Sequence, residues 1–188
     1  MGKLKVTEFE LEGVKIVEPV VYSDNRGNCF ESYSAKDMKE AGIEYDFCLD
    51  YQAFNKEKNT LRGIHFQNFP KAQAKLVRVL SGSIMDYVVD LRCDSPTYKK
   101  WICCELSAEN HKQIVIPVGF GHAFVTLADN TSVLYKFDDY YDGPSCRTIR
   151  WDDADLGIDW HGDNFIMSDK DRNAAGLNDC DICFSAKG

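Results

Sequence analysis

Residues able to move protons or hold negative charge sit inside short apolar segments of this chain. Leu61-Arg62-Gly63-Ile64-His65-Phe66-Gln67 brings Arg62, His65 and Gln67 together. Strand alternation would put His65 and Gln67 on one face, with Gly63 beside them giving backbone room. Lys75 opens the next apolar run, ten residues after His65. His122 lies in Gly119-Phe120-Gly121-His122-Ala123-Phe124, and Tyr135 in Val133-Leu134-Tyr135-Lys136. Imidazole, ammonium and phenol are the groups of acid–base chemistry. Each also has an ordinary use: a satisfied core histidine, a solvated lysine, a packed tyrosine. Metal chemistry is not expected. A metal-holding β-barrel usually presents two histidines one residue apart on a strand, and the residue two past His65 is Gln67. Cys180-Asp181-Ile182-Cys183 is the one CxxC, without a second pair or nearby histidines.

The elements that must position these groups read as strands. Period-two or continuous apolar runs cover Val14–Tyr22, Lys75–Leu80, Ile84–Leu91, Trp101–Leu106, Gln113–Ile116, His122–Leu127 and Ser132–Phe137. Ser81-Gly82-Ser83 predicts a hairpin between the second and third. Ser34 and Asp37 with Gly42 behind bracket a short helix near 35–41, and Ser168 starts another that should end at Gly176. Many short strands punctuated by Gly, Pro and Asn predict an all-β fold, a sandwich or barrel with a few short peripheral helices. No repeat or linker divides residues 1–188, so one domain is expected, with a polar, frayed tail over 177–188.

Composition limits the partners. The chain has 188 residues, 44% of them apolar, and a net charge of −8. That charge argues against a nucleic-acid or anionic-membrane surface, which needs a basic footprint. An anionic ligand would need a local cluster of Arg and Lys. Eight cysteines would suggest a disulfide framework in a small secreted protein. The segment after Met1 runs into Thr7-Glu8-Phe9-Glu10 instead of an apolar leader, and no apolar run reaches a membrane span. A cytoplasmic protein with reduced thiols is expected.

Five strings and one lysine occur in order: LRGIHFQ, the lysine ten residues after its histidine, PVGFGHAF, VLYKFDDYY, IRWDDADLGIDW and SDKD. Together they resemble the dTDP-4-dehydrorhamnose 3,5-epimerase family, from about Val14 to Ala174. The resemblance implies a cupin-type jelly-roll barrel without metal or cofactor. It also implies inversion at C3 and C5 of a nucleoside-diphosphate 4-keto-6-deoxyhexose, and a homodimer.

By the same resemblance, His65 is the base and Asp171 its orienting carboxylate. Lys75 supports negative charge on O4, and Tyr135 returns the proton on the opposite face. Arg62 and His122 contact the sugar and diphosphate. Arg26 and Glu31 match nucleotide contacts on an arm from the neighbouring subunit. Gln67 and Lys170 fall within matched motifs and are counted as substrate contacts. Two departures stand out. The family commonly reads QDNHS fifteen to eleven residues before the base, and that spacing gives Asp50-Tyr51-Gln52-Ala53-Phe54 here. Asp50 and Gln52 would then replace amides that hold the nucleotide. Cys146 stands where many members carry Glu. Nucleotide base, exact sugar, and single or double inversion are left open, and a cupin that only binds a sugar nucleotide is the alternative that His65, Lys75, Tyr135 and Asp171 together argue against.

Overall fold

The computed structural model describes residues 4–186. The first three residues of the leader reading and the last two of the tail lie outside them. Strands β1 (Leu4–Glu8), β2 (Lys15–Pro19), β5 (Leu49–Asn55), β7 (Lys75–Ser81), β10 (Gln113–Ile116) and β12 (Thr131–Phe137) form one antiparallel sheet, ordered β1-β2-β10-β7-β12-β5. Strands β6 (Leu61–Gln67), β8 (Ser83–Asp90), β9 (Trp101–Ser107), β11 (Phe120–Thr126) and β13 (Cys146–Thr148) form a second, ordered β13-β6-β11-β8-β9. A small hairpin joins β3 (Tyr22–Asp24) to β4 (Gly27–Cys29). This is the all-β fold that the strand pattern predicts, in the cupin-type form that the resemblance implies. Among the described residues no helix is long and apolar enough to cross a membrane.

Alternation explains why the sheets face each other. Thr7, Ile16, Ile114, Val77, Tyr135 and Tyr51 are directly opposite one another across successive strands of the first sheet. Directly paired residues share a face. That face meets Ile84, Val88, Leu106, Phe120 and Phe124 of the second sheet in a buried cluster. The outer side of the first sheet is covered over Val17, Leu76 and Val115 by Met38 of helix α1 (Ala35–Glu40), which Ser34 caps as predicted. The outer side of the second sheet carries Tyr87, Val89 and Ala123 beneath Leu156, Trp160 and Phe165.

The predicted Ser81-Gly82-Ser83 hairpin is not formed. β7 pairs with β10 and β12, whereas β8 pairs with β9 and β11. Gly82, at φ 74°, carries the chain from one sheet to the other, and a Cβ there would overlap Thr131. Sheet-to-sheet crossing between consecutive strands is the jelly-roll pattern, and a Gly-centred turn serves it as well as a hairpin. The single strand expected over Val14–Tyr22 divides at Pro19, its far end entering the β3–β4 hairpin. Helix α2 (Asp169–Arg172) begins after Ser168 as expected but stops well before Gly176. The segment expected to fray is packed as far as it is described. Leu177 and Phe184 are buried, Phe184 lies edge-on against Phe66, and the Asn68 amide donates to Asp181 O at 2.7 Å.

Candidate active site

Strand β6 is irregular where the chemistry lies. Its register against β11 pairs His65 with His122 and Arg62 with Phe124, with a shift between them. His122 and Phe124 are two apart on one face, so Arg62 and His65 share that face although three apart. Gly63 and Ile64 together oppose Ala123, a β-bulge. Gly63 sits at φ 137°, and a Cβ there would overlap Ala123 and the His122 carbonyl. The sequence therefore needs glycine at this point. The bulge corrects the simple alternation: Arg62, not Gly63, joins His65 on the inner face.

His65 Nε2 and Asp171 Oδ1 are 2.7 Å apart. The Ser168 hydroxyl accepts from the Asp171 backbone N–H at 3.1 Å, so the cap of α2 fixes the carboxylate's position. The Gly63 N–H donates to the other carboxylate oxygen at 3.4 Å. Burial alone would raise the Asp171 pKa. The His65 bond and charge, with the Gly63 and Ser168 donors, outweigh it and hold the carboxyl below its ordinary range. An ionised Asp171 on Nε2 leaves Nδ1 as the basic nitrogen.

Lys75, on the inner face of β7, is buried and donates from Nζ to the His65 carbonyl at 3.0 Å. Burial lowers its pKa to about 8, against the opposing pull of Asp86 and Cys146. His122 Nε2 lies 2.8 Å from Asp86 Oδ2, both side chains being buried. Burial pushes His122 down and Asp86 up, toward neutral forms, and the attraction between them opposes both shifts. Asp86 also faces Lys75 and Tyr135. Tyr135, from the opposite sheet, has its ring edge-on to His122 at 5.7 Å. Burial, then Asp86, pushes its phenol well above 10.

A cavity of about 320 Å³ is lined by His65, Gln67, Lys75, Cys146 and Lys170 among the expected residues, whereas Arg62, His122 and Tyr135 lie behind its lining. Gln67 is committed to structure. Its amide donates to Lys71 O at 2.6 Å and Tyr140 O at 3.2 Å, and its oxygen accepts from the Asp142 N–H at 2.8 Å and the Cys146 thiol at 3.3 Å. It holds the 140–142 loop that carries Tyr141 to the rim. Arg62 donates to Asn55 Oδ1 at 2.7 Å, bridging β6 to β5.

Asp50 and Gln52 are not in the cavity. They are opposite Lys136 and Leu134, on the outer face of β5. Asp50 is 61% exposed and pairs with Lys136 at 2.7 Å. Leu49 and Tyr51 are the residues of this stretch that line the cavity. Counting back from His65 crosses both the bulge and the 56–60 connection, where alternation does not carry through, and a one-residue slip exchanges the faces. Arg26 and Glu31 also lie elsewhere. Arg26 is at the β3–β4 tip, 86% exposed and paired with Asp24, and Glu31 lines a separate depression with Tyr22 and Phe30. Asp86 is the residue sequence reasoning passed over. An acidic side chain on the inward parity of the apolar run Ile84–Leu91 was the available signal, because a buried carboxylate needs a partner.

Facing sheets with an aspartate-held histidine, a buried lysine and a buried tyrosine between them define an isomerase of the cupin class. The family sequence profile described as dTDP-4-dehydrorhamnose 3,5-epimerase matches residues 8–179. The chain belongs to that family. A dTDP-4-dehydrorhamnose 3,5-epimerase of Methanothermobacter thermautotrophicus is 42% identical over 176 residues, 92% of this chain and 94% of that one. The Bacillus anthracis enzyme, solved with TDP and PPi bound, superposes with a TM-score of 0.90 at 43% identity, covering 92% of this chain and 99% of that one. The Legionella pneumophila enzyme, solved in complex with dTDP-4-keto-L-rhamnose, gives a TM-score of 0.90 at 39% identity over 95% of each chain.

Proposed function

We propose that this chain inverts C3 and C5 of dTDP-4-dehydro-6-deoxyglucose to give dTDP-4-dehydrorhamnose. The observation that carries the reading is His65 of one sheet held by Asp171 of α2, with Lys75 of the other sheet lining the same cavity and Tyr135 edge-on to His122 behind it. A proton beside the C4 ketone passes to His65 Nδ1, and Asp171 stabilises the imidazolium. The C–H electron pair moves into the enolate, whose oxygen meets the Lys75 ammonium. A low-dielectric site makes that contact far stronger than in water. Tyr135 then returns a proton from the opposite face, and the ketone re-forms. Lys170, which lines the cavity, is assigned to contact the sugar and diphosphate, together with Arg62 and His122 by the family resemblance. The basic side chains that line the cavity of this acidic protein are His65, Lys75, Arg147 and Lys170.

The test is NMR of the dTDP sugar incubated with enzyme in D₂O. Inversion with deuterium at both C3 and C5 is expected. Inversion at C3 alone would make the chain a 3-epimerase.

Leu49 and Tyr51 favour a second reading, an epimerase for another nucleotide, because neither presents an amide to a base. Calorimetric comparison of dTDP with UDP, CDP and GDP decides between them. The first reading expects dTDP to bind tightest. Tighter binding of another nucleotide selects the second.

The assembly reading is a homodimer in which the β3–β4 arm, with Arg26 and Glu31, completes the partner's site. It is supported by both residues lying outside the lining of their own cavity, Arg26 and Glu31 each bordering a separate depression. A cytoplasmic location fits the free thiol state of all eight cysteines.

A further inference from the structure

We infer that Tyr51 is a second proton donor, working beside Tyr135 so that each phenol serves one of the two carbons flanking the ketone. The inference rests on the epimerase reading above. Tyr51 is directly opposite Tyr135 in the β5–β12 ladder, on the inner face, with ring centroids 5.9 Å apart. It lines the cavity that His65 and Lys75 also line. Within its own sheet, the other inner-face neighbours of Tyr135 are Val77 across the strand and Val133 and Phe137 along it, while His122 of the facing sheet is committed to Asp86. Of the neighbours within the sheet only Tyr51 carries an exchangeable proton.

The chemistry gives two phenols a use. Inverting C3 and C5 needs two protons delivered from the side opposite His65, at carbons on either side of C4. Tyr135 is only 8% exposed, so a single buried donor would need recharging while the sugar still covers it. Tyr51 is 54% exposed and meets water directly. In each delivery a phenol O–H bond breaks and a C–H bond forms from the enolate electron pair. The C4 carbonyl returns, and the phenolate takes its proton back from water or from the imidazolium. No oxidant or co-reactant enters.

Tyr51→Phe removes the hydroxyl and keeps the ring against Tyr135 and Phe137. It is compared with Tyr135→Phe by following inversion at each carbon by NMR in D₂O. dTDP affinity and melting temperature report that each variant is folded. Wild-type inversion at both carbons establishes the parent reading independently of either variant. The two variants are then expected to give different patterns, with Tyr51→Phe slowing inversion at one carbon by about 10²–10⁴-fold, the size of a general-acid contribution. Unchanged inversion at both carbons in Tyr51→Phe, or the same pattern in both variants, would overturn the assignment. A loss confined to dTDP affinity would also overturn it, making Tyr51 a nucleotide contact instead.

Discussion

His65→Ala is expected to reduce kcat by about 10²–10⁴-fold, the usual worth of a general base, while dTDP still binds. Among the described residues, His65 is the one inner-face group that pairs a basic nitrogen with a buried carboxylate at 2.7 Å and is also open to the cavity, its side chain being 40% exposed. Removing the imidazole takes away proton abstraction at both carbons, so deuterium exchange at C3 and C5 should fall together. The substitution also leaves Asp171 buried without its principal partner. A stability loss of about 1–3 kcal/mol is the ordinary cost of such a group. Thermal unfolding therefore has to be measured beside turnover, with dTDP affinity as the test that the site survives. Asp171→Asn gives the complementary result: the imidazole stays, but nothing holds its Nε2–H form or balances the imidazolium, so kcat falls with little change in nucleotide affinity. Near wild-type exchange in His65→Ala would remove the histidine from the mechanism.

Composition and alternation were enough for an all-β barrel because its strands each bury one face, which leaves a period-two record. They were not enough for connectivity. Gly82 supplies the same positive-φ turn to a hairpin and to a crossing between sheets, and only pairing partners tell them apart. The core of the site was legible where a motif and a strand coincide, as at His65, Lys75, His122 and Tyr135. It was illegible where geometry departs from alternation. The bulge at Gly63 brings Arg62 to the inner face, and the β5 ladder sends Asp50 outward to Lys136 while turning Leu49 and Tyr51 in. Asp86 left only a weak trace, one carboxylate in an apolar run. Its meaning came from His122 on the neighbouring strand, 36 residues away in sequence.

Lys75→Met is expected to lower kcat by about 10²–10³-fold, as loss of one oxyanion donor does. A pH signature separates this role from packing. Burial lowers the Lys75 pKa to about 8, against Asp86 and Cys146. Oxyanion support requires the ammonium, so activity attributable to Lys75 is fully present below that pKa and lost as pH rises through it. In wild type, kcat/KM, which reports the free enzyme, should bend downward near pH 8 and then fall tenfold per unit. Tyr135 does not produce that limb, because its phenol titrates well above 10. Lys75→Met should be slow at every pH and should lack the bend. Methionine keeps much of the lysine's length and apolar volume, so the inner face of β7 stays filled between Phe137 and Ile116, its partners on either side. A bend retained in Lys75→Met would assign the titration to another group in the cavity. A fall in melting temperature with no loss of turnover would make Lys75 a packing residue that touches His65 only through its carbonyl.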